Sequence, residues 1–210
     1  MDDTSLRDEG LAATGQERLL VLGCGALARE ILAVLEANGL SHVDLQCLPA
    51  ILHNTPDKIP DAVRSAILKH RKNYDQIFVA YADCGTGGHL QNVCAELGVE
   101  MIEGPHCYSF FEGNAAFAEN DEMTAFFLTD FLARQFDAFV TKPLGLDRHP
   151  ELRDMYFGNY TKLVYQSQLH DPNLVALAAK HANTLGLAFE HRHTGYGDLA
   201  PTVIDFAKNA

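Results

Sequence analysis

The sequence has no CxxC pair, no cysteine after Cys107, no cluster of Lys and Arg, and no long apolar run. Each absence removes a class of function. Without paired CxxC spacings no zinc ribbon or thioredoxin-type motif is present. The chain carries 16 Lys and Arg against 28 Asp and Glu, a net charge of −12. That balance argues against nucleic acid or an anionic membrane as partner, because both demand basic surface. No apolar stretch reaches the roughly 18 residues of a membrane span. The first residues, MDDTSLRDEGLAATGQE, lack the basic start and apolar core of a signal peptide. Residues 1–16 therefore read as a disordered leader, residues 17–210 as a single domain, and the protein as cytoplasmic.

What remains is ordinary globular material. With 210 residues, 47% hydrophobic and 21% charged, the chain can bury a substantial core. Apolar runs of strand length alternate with helical patterns. Residues 19–22 (LLVL) end in Gly23-Cys24-Gly25, and Leu27, Ile31, Val34 and Leu35 then follow helical spacing up to Gly39. A second strand over residues 43–48 precedes a loop with His53, and a helix follows from Pro60. Residues 77–81 (IFVAY) lead into Asp83-Cys84-Gly85-Thr86-Gly87-Gly88 and another helix. A short strand over 99–102 runs to Gly104-Pro105-His106-Cys107 and an aromatic segment, YSFFEGNAAF. Further strands are expected at 125–128, 163–165 and 187–190, with helices at 130–139, from Asp171-Pro172 to Leu185, and at 199–207. The alternation predicts an α/β fold, a mostly parallel sheet with flanking helices in a Rossmann-like three-layer arrangement.

In such a sheet the loops at the carboxyl ends of the strands converge on one rim, where ligands bind. Cys24 follows the first strand, His53 the second, Cys84 the third and Cys107 the fourth. Thiolates and imidazole are zinc ligands, and three thiolates also suit an iron–sulfur cluster. Helix N-termini after the loops favour thiolate, and Gly23, Gly25, Gly85 and Gly87 permit close backbone approach to a cofactor. Cys47 and Cys94 fall inside a strand and a helix, where packing accounts for them. Glu30 on the first helix is a candidate carboxylate ligand or general base, or a charge facing solvent. Gly23-x-Gly25-x-x-Ala28 also matches a dinucleotide fingerprint, but the second strand lacks the acidic end that reads the ribose. Cys84 beside His89 is a candidate nucleophile. His191 and His193 read as an exposed strand end, and His181 as a satisfied core histidine.

The stretches VLGCGALAREI, LHNTP, VAYADCGTGG, Cys107 with Gly113, and FFLTDFL resemble the bacterial and archaeal family catalogued as domain of unknown function 1638. In that resemblance Cys24, Glu30, His53, Cys84 and Cys107 match the family pattern, while Pro105-His106 replaces the His-Asp expected before the third cysteine. The resemblance implies a context of corrinoid-dependent methyl transfer. The expectation is a zinc or iron–sulfur protein of one-carbon metabolism, a methyltransferase or its accessory factor, with a small molecule, a corrinoid or a corrinoid protein as partner and an oligomer allowed. The alternative is a non-catalytic module binding a corrinoid, a nucleotide or a partner protein.

Overall fold

The computed structural model describes residues 2–13, 15 and 18–209. In chain order the elements are α1 (Asp3–Asp8), β1 (Leu19–Cys24), α2 (Ala28–Ala37), β2 (Val43–Leu48), α3 (Ile59–His70), β3 (Gln76–Ala80), α4 (His89–Leu97), β4 (Glu100–Met101), α5 (Ser109–Glu112) and α6 (Asn114–Asn120). They continue with β5 (Ala125–Leu128), α7 (Asp130–Arg134), α8 (Arg153–Phe157), β6 (Lys162–Ser167), α9 (Pro172–Leu185), β7 (Ala188–His193) and α10 (Leu199–Asn209).

β1 is buried along its whole length, which is why its residues are apolar on both faces rather than alternating. It lies between β2 and β3, pairing Leu19 with Val43 on one side and with Gln76 on the other. The order β2-β1-β3-β4 is all parallel and reverses direction between β1 and β3. Right-handed crossovers then put α2 on one face and α3 and α4 on the other. The last helix, α10, returns to pack beside α2, and its Phe206 stacks on Phe78 of β3 at 5.1 Å.

The expected α/β architecture of parallel strands with flanking helices in a Rossmann-like arrangement is present, divided between two sheets. All pairings between the numbered strands are parallel, and β5, β6 and β7 form a second sheet. β4 ends the first sheet because it pairs over only two residues, leaving no ladder for β5 to extend. α7 and α9 cover one face of the second sheet. On its other face Tyr108 and Phe117 pack over Ala125, Phe127 and Val164. One continuous buried cluster nevertheless reaches from Leu20 in β1 to Tyr165 in β6.

Part of the expected disordered leader is helical. Residues 3–8 form α1, and Leu6 is 1% exposed. Asp3 pairs with Arg29 at 2.6 Å and with Arg134 at 3.8 Å, linking α1 to both halves of the chain. Leu11 exchanges two backbone hydrogen bonds with Cys47, 2.8 and 2.7 Å, and so covers the outer edge of β2. The polar composition suggested disorder, but two leucines and one carboxylate are enough to dock the segment. The expected boundary between residues 16 and 17 lies outside the described residues.

Candidate functional site

The reversal between β1 and β3 is where an open parallel sheet leaves a crevice at its carboxyl edge. Cys24 ends β1 and Cys84 follows β3, so these two cysteines flank that crevice. A cavity of ≈ 50 Å³ lies there, and Cys24, Cys84, Cys107, His53 and His106 all line it. Tyr81, Tyr108, Phe111 and Phe139 supply aromatic walls. Thr129 and Leu132 enter from the start of α7, so the second sheet closes the rim of the first. No Lys, Arg, Asp or Glu is among the lining residues.

The loop holding Cys84 is built by its neighbours. The Asp83 carboxylate accepts from the Thr86 hydroxyl at 2.9 Å and from the N–H groups of Gly88 at 2.7 Å and Gly87 at 3.2 Å. Burial raises the Asp83 pKa, but these donors outweigh it and leave it below the usual carboxylate range. Cys84 itself has φ 49, the left-handed region that a side chain rarely adopts. Two backbone bonds hold it there: the Asp83 N–H donates to Gly104 O and the Cys84 N–H to Pro105 O, both 3.0 Å. The two loops are thereby fastened together, and the Sγ atoms of Cys84 and Cys107 stand 3.1 Å apart.

Cys107 also adjoins Cys24, which is buried at the floor of the cavity. The Cys107 thiol donates toward Cys24 and draws its pKa down; burial opposes this, and the Ala26 N–H adds to it. Cys107 moves the other way, well up, because it keeps the proton between Cys24 and Cys84 and is desolvated. The Tyr81 hydroxyl lies near the Cys24 sulfur without making a hydrogen bond of regular geometry. Burial lowers the pKa of His53, and nearby His106 adds to the effect. Burial lowers His106 as well, against an opposing pull from Asp83. His106 stacks on Tyr108 at 4.8 Å, and His53 packs against Phe139 at 6.2 Å.

Several sequence expectations fall elsewhere. Glu30 does not line the cavity. It is buried on α2 rather than facing solvent, and desolvation, with Asp130 and Asp3 near it, raises its pKa to about 7. Its Oε2 has no hydrogen-bond partner. The glycines of the first loop are packed closely against protein atoms. A Cβ on Gly25 would stand 2.4 Å from the Leu6 carbonyl oxygen of α1, and one on Gly23 would stand 3.0 Å from Ile31 Cδ1. The approach that a dinucleotide pyrophosphate would need at Gly25 is filled by α1. Gly85 and Gly87 have φ 85 and 63 and shape the Cys84 loop without lining the cavity. His89 is exposed at the start of α4.

Cys47 and Cys94 are buried and do not line the cavity, and burial pushes the Cys94 thiol up to about 11. His191 and His193 are exposed on β7 and share the Ser167 hydroxyl, at 2.9 and 3.1 Å. His181 is half-buried, bonded to the Ala133 carbonyl at 3.0 Å and stacked on Phe136. Among the described residues, no group of three or more His, Cys, Asp or Glu is placed so that it could hold a metal ion. The thiols meet in pairs through Cys107 rather than around a common centre. The sequence reading did not nominate Tyr81, Phe111, Thr129, Leu132 or Phe139. Thr129 had a local signal, since its hydroxyl caps α7 by accepting from the Leu132 N–H at 3.3 Å.

The fold and site define a parallel α/β protein with a thiol-rich, uncharged pocket at the carboxyl edge of its first sheet. The family described as "Protein of unknown function (DUF1638)" matches over residues 47–203, and the chain belongs to that family. The match takes in His53, Cys84 and Cys107 and begins after Cys24 and Glu30. No curated protein and no solved structure matches the chain. Among the described residues, no helix is long and apolar enough to cross a membrane.

Proposed function

We propose that the chain binds a thiophilic metal ion, zinc, through Cys24, Cys84 and Cys107, and that the bound thiolates act on a small uncharged molecule. The observation that carries this reading is the convergence of all three rim cysteines, with His53 and His106, on one cavity. The donor set is chemically suited: soft sulfur and neutral imidazole are what zinc takes. Burial lowers both imidazole pKa values and so favours their neutral, ligating form.

Spacing favours a single ion over a cluster. Tetrahedral zinc with Zn–S bonds of about 2.3 Å places its sulfurs roughly 3.8 Å apart. Cys84 and Cys107 stand 3.1 Å apart. Their loops would therefore open by about 0.7 Å to take the ion. An iron–sulfur cluster interposes irons and sulfides between its cysteine sulfurs, which requires a far larger separation.

The walls restrict what reacts there. A bound zinc supplies thiolate at neutral pH. The chain supplies a pocket without a counter-charge for a carboxylate or phosphate, closed by Tyr81, Phe111, Leu132 and Phe139. At ≈ 50 Å³ it is about a third of the 150 Å³ that houses benzene, so it encloses two or three heavy atoms. A methyl group or a small thiol fits that description. In this reading a corrinoid of one-carbon metabolism stays on its own partner protein and presents only its methyl group at the mouth.

The test is zinc content after anaerobic purification, with reconstitution of the apoprotein. About one zinc per chain is expected, falling at least tenfold in the C24A/C84A/C107A variant. Wild-type protein that neither contains nor takes up zinc, iron or cobalt defeats the proposal.

A further inference from the structure

We infer that Cys84 and Cys107 form an internal disulfide by exchange with small disulfide compounds, and that this link closes the metal site; the second half of the inference rests on the zinc reading above. The two sulfurs are already in contact at 3.1 Å, and a disulfide needs them at about 2.05 Å. The remaining approach is about 1 Å, in the direction opposite to the opening that zinc requires. One pair of loops therefore has two exclusive end states, thiolates spread around an ion or sulfurs joined to each other.

Accessibility selects this pair. Cys84 and Cys107 are half-buried at the cavity mouth, whereas Cys24, Cys47 and Cys94 are buried. The fastening of the loops by Asp83 to Gly104 and by Cys84 to Pro105 holds the two thiols side by side. Gly85 and Gly104, at φ 85 and 152, flank the two loops and give the backbone room to adjust.

The chemistry balances with a disulfide RSSR as oxidant. The Cys84 sulfur, losing its proton, attacks one sulfur of RSSR. The S–S bond breaks, one RS⁻ leaves and takes that proton, and a mixed disulfide remains on Cys84. The Cys107 sulfur then attacks the Cys84 sulfur and expels the second RS⁻, which takes the Cys107 proton. The protein dithiol loses two electrons and RSSR becomes two RSH.

The experiment uses the reduced, metal-free full chain with hydroxyethyl disulfide, an uncharged oxidant matched to the uncharged pocket. Alkylatable thiols under denaturing conditions should fall from five to three, with no retained adduct mass. No Lys or Arg lies between Lys72 and Arg134, so trypsin leaves Cys84, Cys94 and Cys107 on one peptide. A protease cutting after glutamate separates Cys107 from Cys84 and Cys94, and the C94S variant, expected to behave as wild type, identifies the partner. C107S should stop at a mixed adduct on Cys84. Five free thiols, a stable adduct on wild type, or a link through Cys24, Cys47 or Cys94 overturns the inference. Zinc uptake is then compared between linked and reduced protein, and a drop of at least tenfold is expected. Equal uptake overturns the switching half. If neither form takes zinc but the link forms, the zinc reading has failed and the exchange chemistry stands.

Discussion

Replacing Glu30 with Gln should make the protein more stable in alkaline solution and nearly unchanged in acid. Glu30 is 5% exposed, its Oε2 has no partner, and Asp130 and Asp3 add negative charge around it, with Arg134 opposing. Desolvation first, and these carboxylates next, raise its pKa from 4.5 to about 7. Between those values the folded chain keeps a proton that the unfolded chain has released. Stability is therefore fully retained below pH 4.5, is lost as pH rises toward 7, and levels off above it. At about 1.4 kcal/mol per pH unit the loss amounts to about 3 kcal/mol. Glutamine is neutral at every pH and close to the same shape, so it mimics the protonated acid. Urea unfolding of both proteins from pH 4.5 to 8.5 isolates the effect, because every other titrating group is common to the pair. The curves should meet within about 1 kcal/mol at the acid end and diverge by about 3 kcal/mol at the alkaline end, with the variant more stable. Parallel curves would mean that Glu30 is solvated or paired, and the account of its burial would be wrong.

Other consequences concern the docked N-terminal helix and the Cys84 loop. Leu6→Ala removes a fully buried side chain and should cost about 2–5 kcal/mol. Gly25→Ala drives a Cβ against the Leu6 carbonyl and should cost about 1–3 kcal/mol. Both should speed tryptic cleavage after Arg7, and unchanged cleavage would show that α1 is not held at Gly25. Asp83→Ala leaves the Thr86 hydroxyl and two glycine N–H groups without their acceptor. It should weaken zinc binding by about 10–100-fold while Cys84 and Cys107 remain in place. Zinc affinity equal to wild type in a competition titration would remove Asp83 as a support of the site.

The first half of the fold is legible in the sequence because its signals are local and agree with each other. LLVL before Gly23 and IFVA before Tyr81 are apolar on both faces, as central parallel strands are, and glycine turns place a cysteine after each. The three thiols and His53 were placed on one rim by strand order alone, and they line one cavity. The division into two sheets was not legible, since periodicity reveals strands but not their partners. It depends on the brevity of β4, whose pairing covers two residues. The docking of α1 was hidden for a related reason: composition averages Leu6 and Leu11 with thirteen polar or small neighbours in residues 1–16, while docking depends on those two and Asp3. The far wall of the pocket, Thr129, Leu132 and Phe139, comes from the second half, so only tertiary structure brings it to the cysteines. Glu30 was read as a metal ligand, a general base or a solvent-facing charge, because helical position does not tell which face α1 and α7 will cover.

The central claim is that Cys24, Cys84 and Cys107 ligate one metal ion together. Cobalt(II) substitution tests it most directly, since each coordinated thiolate adds intensity to the sulfur-to-cobalt charge-transfer absorption. The account predicts a stoichiometric spectrum of three-thiolate intensity in wild type, reduced to two-thiolate intensity in each of C24S, C84S and C107S, and unchanged in C47S and C94S. A wild-type titration with no charge-transfer band, or a band that survives all three rim substitutions, would contradict it.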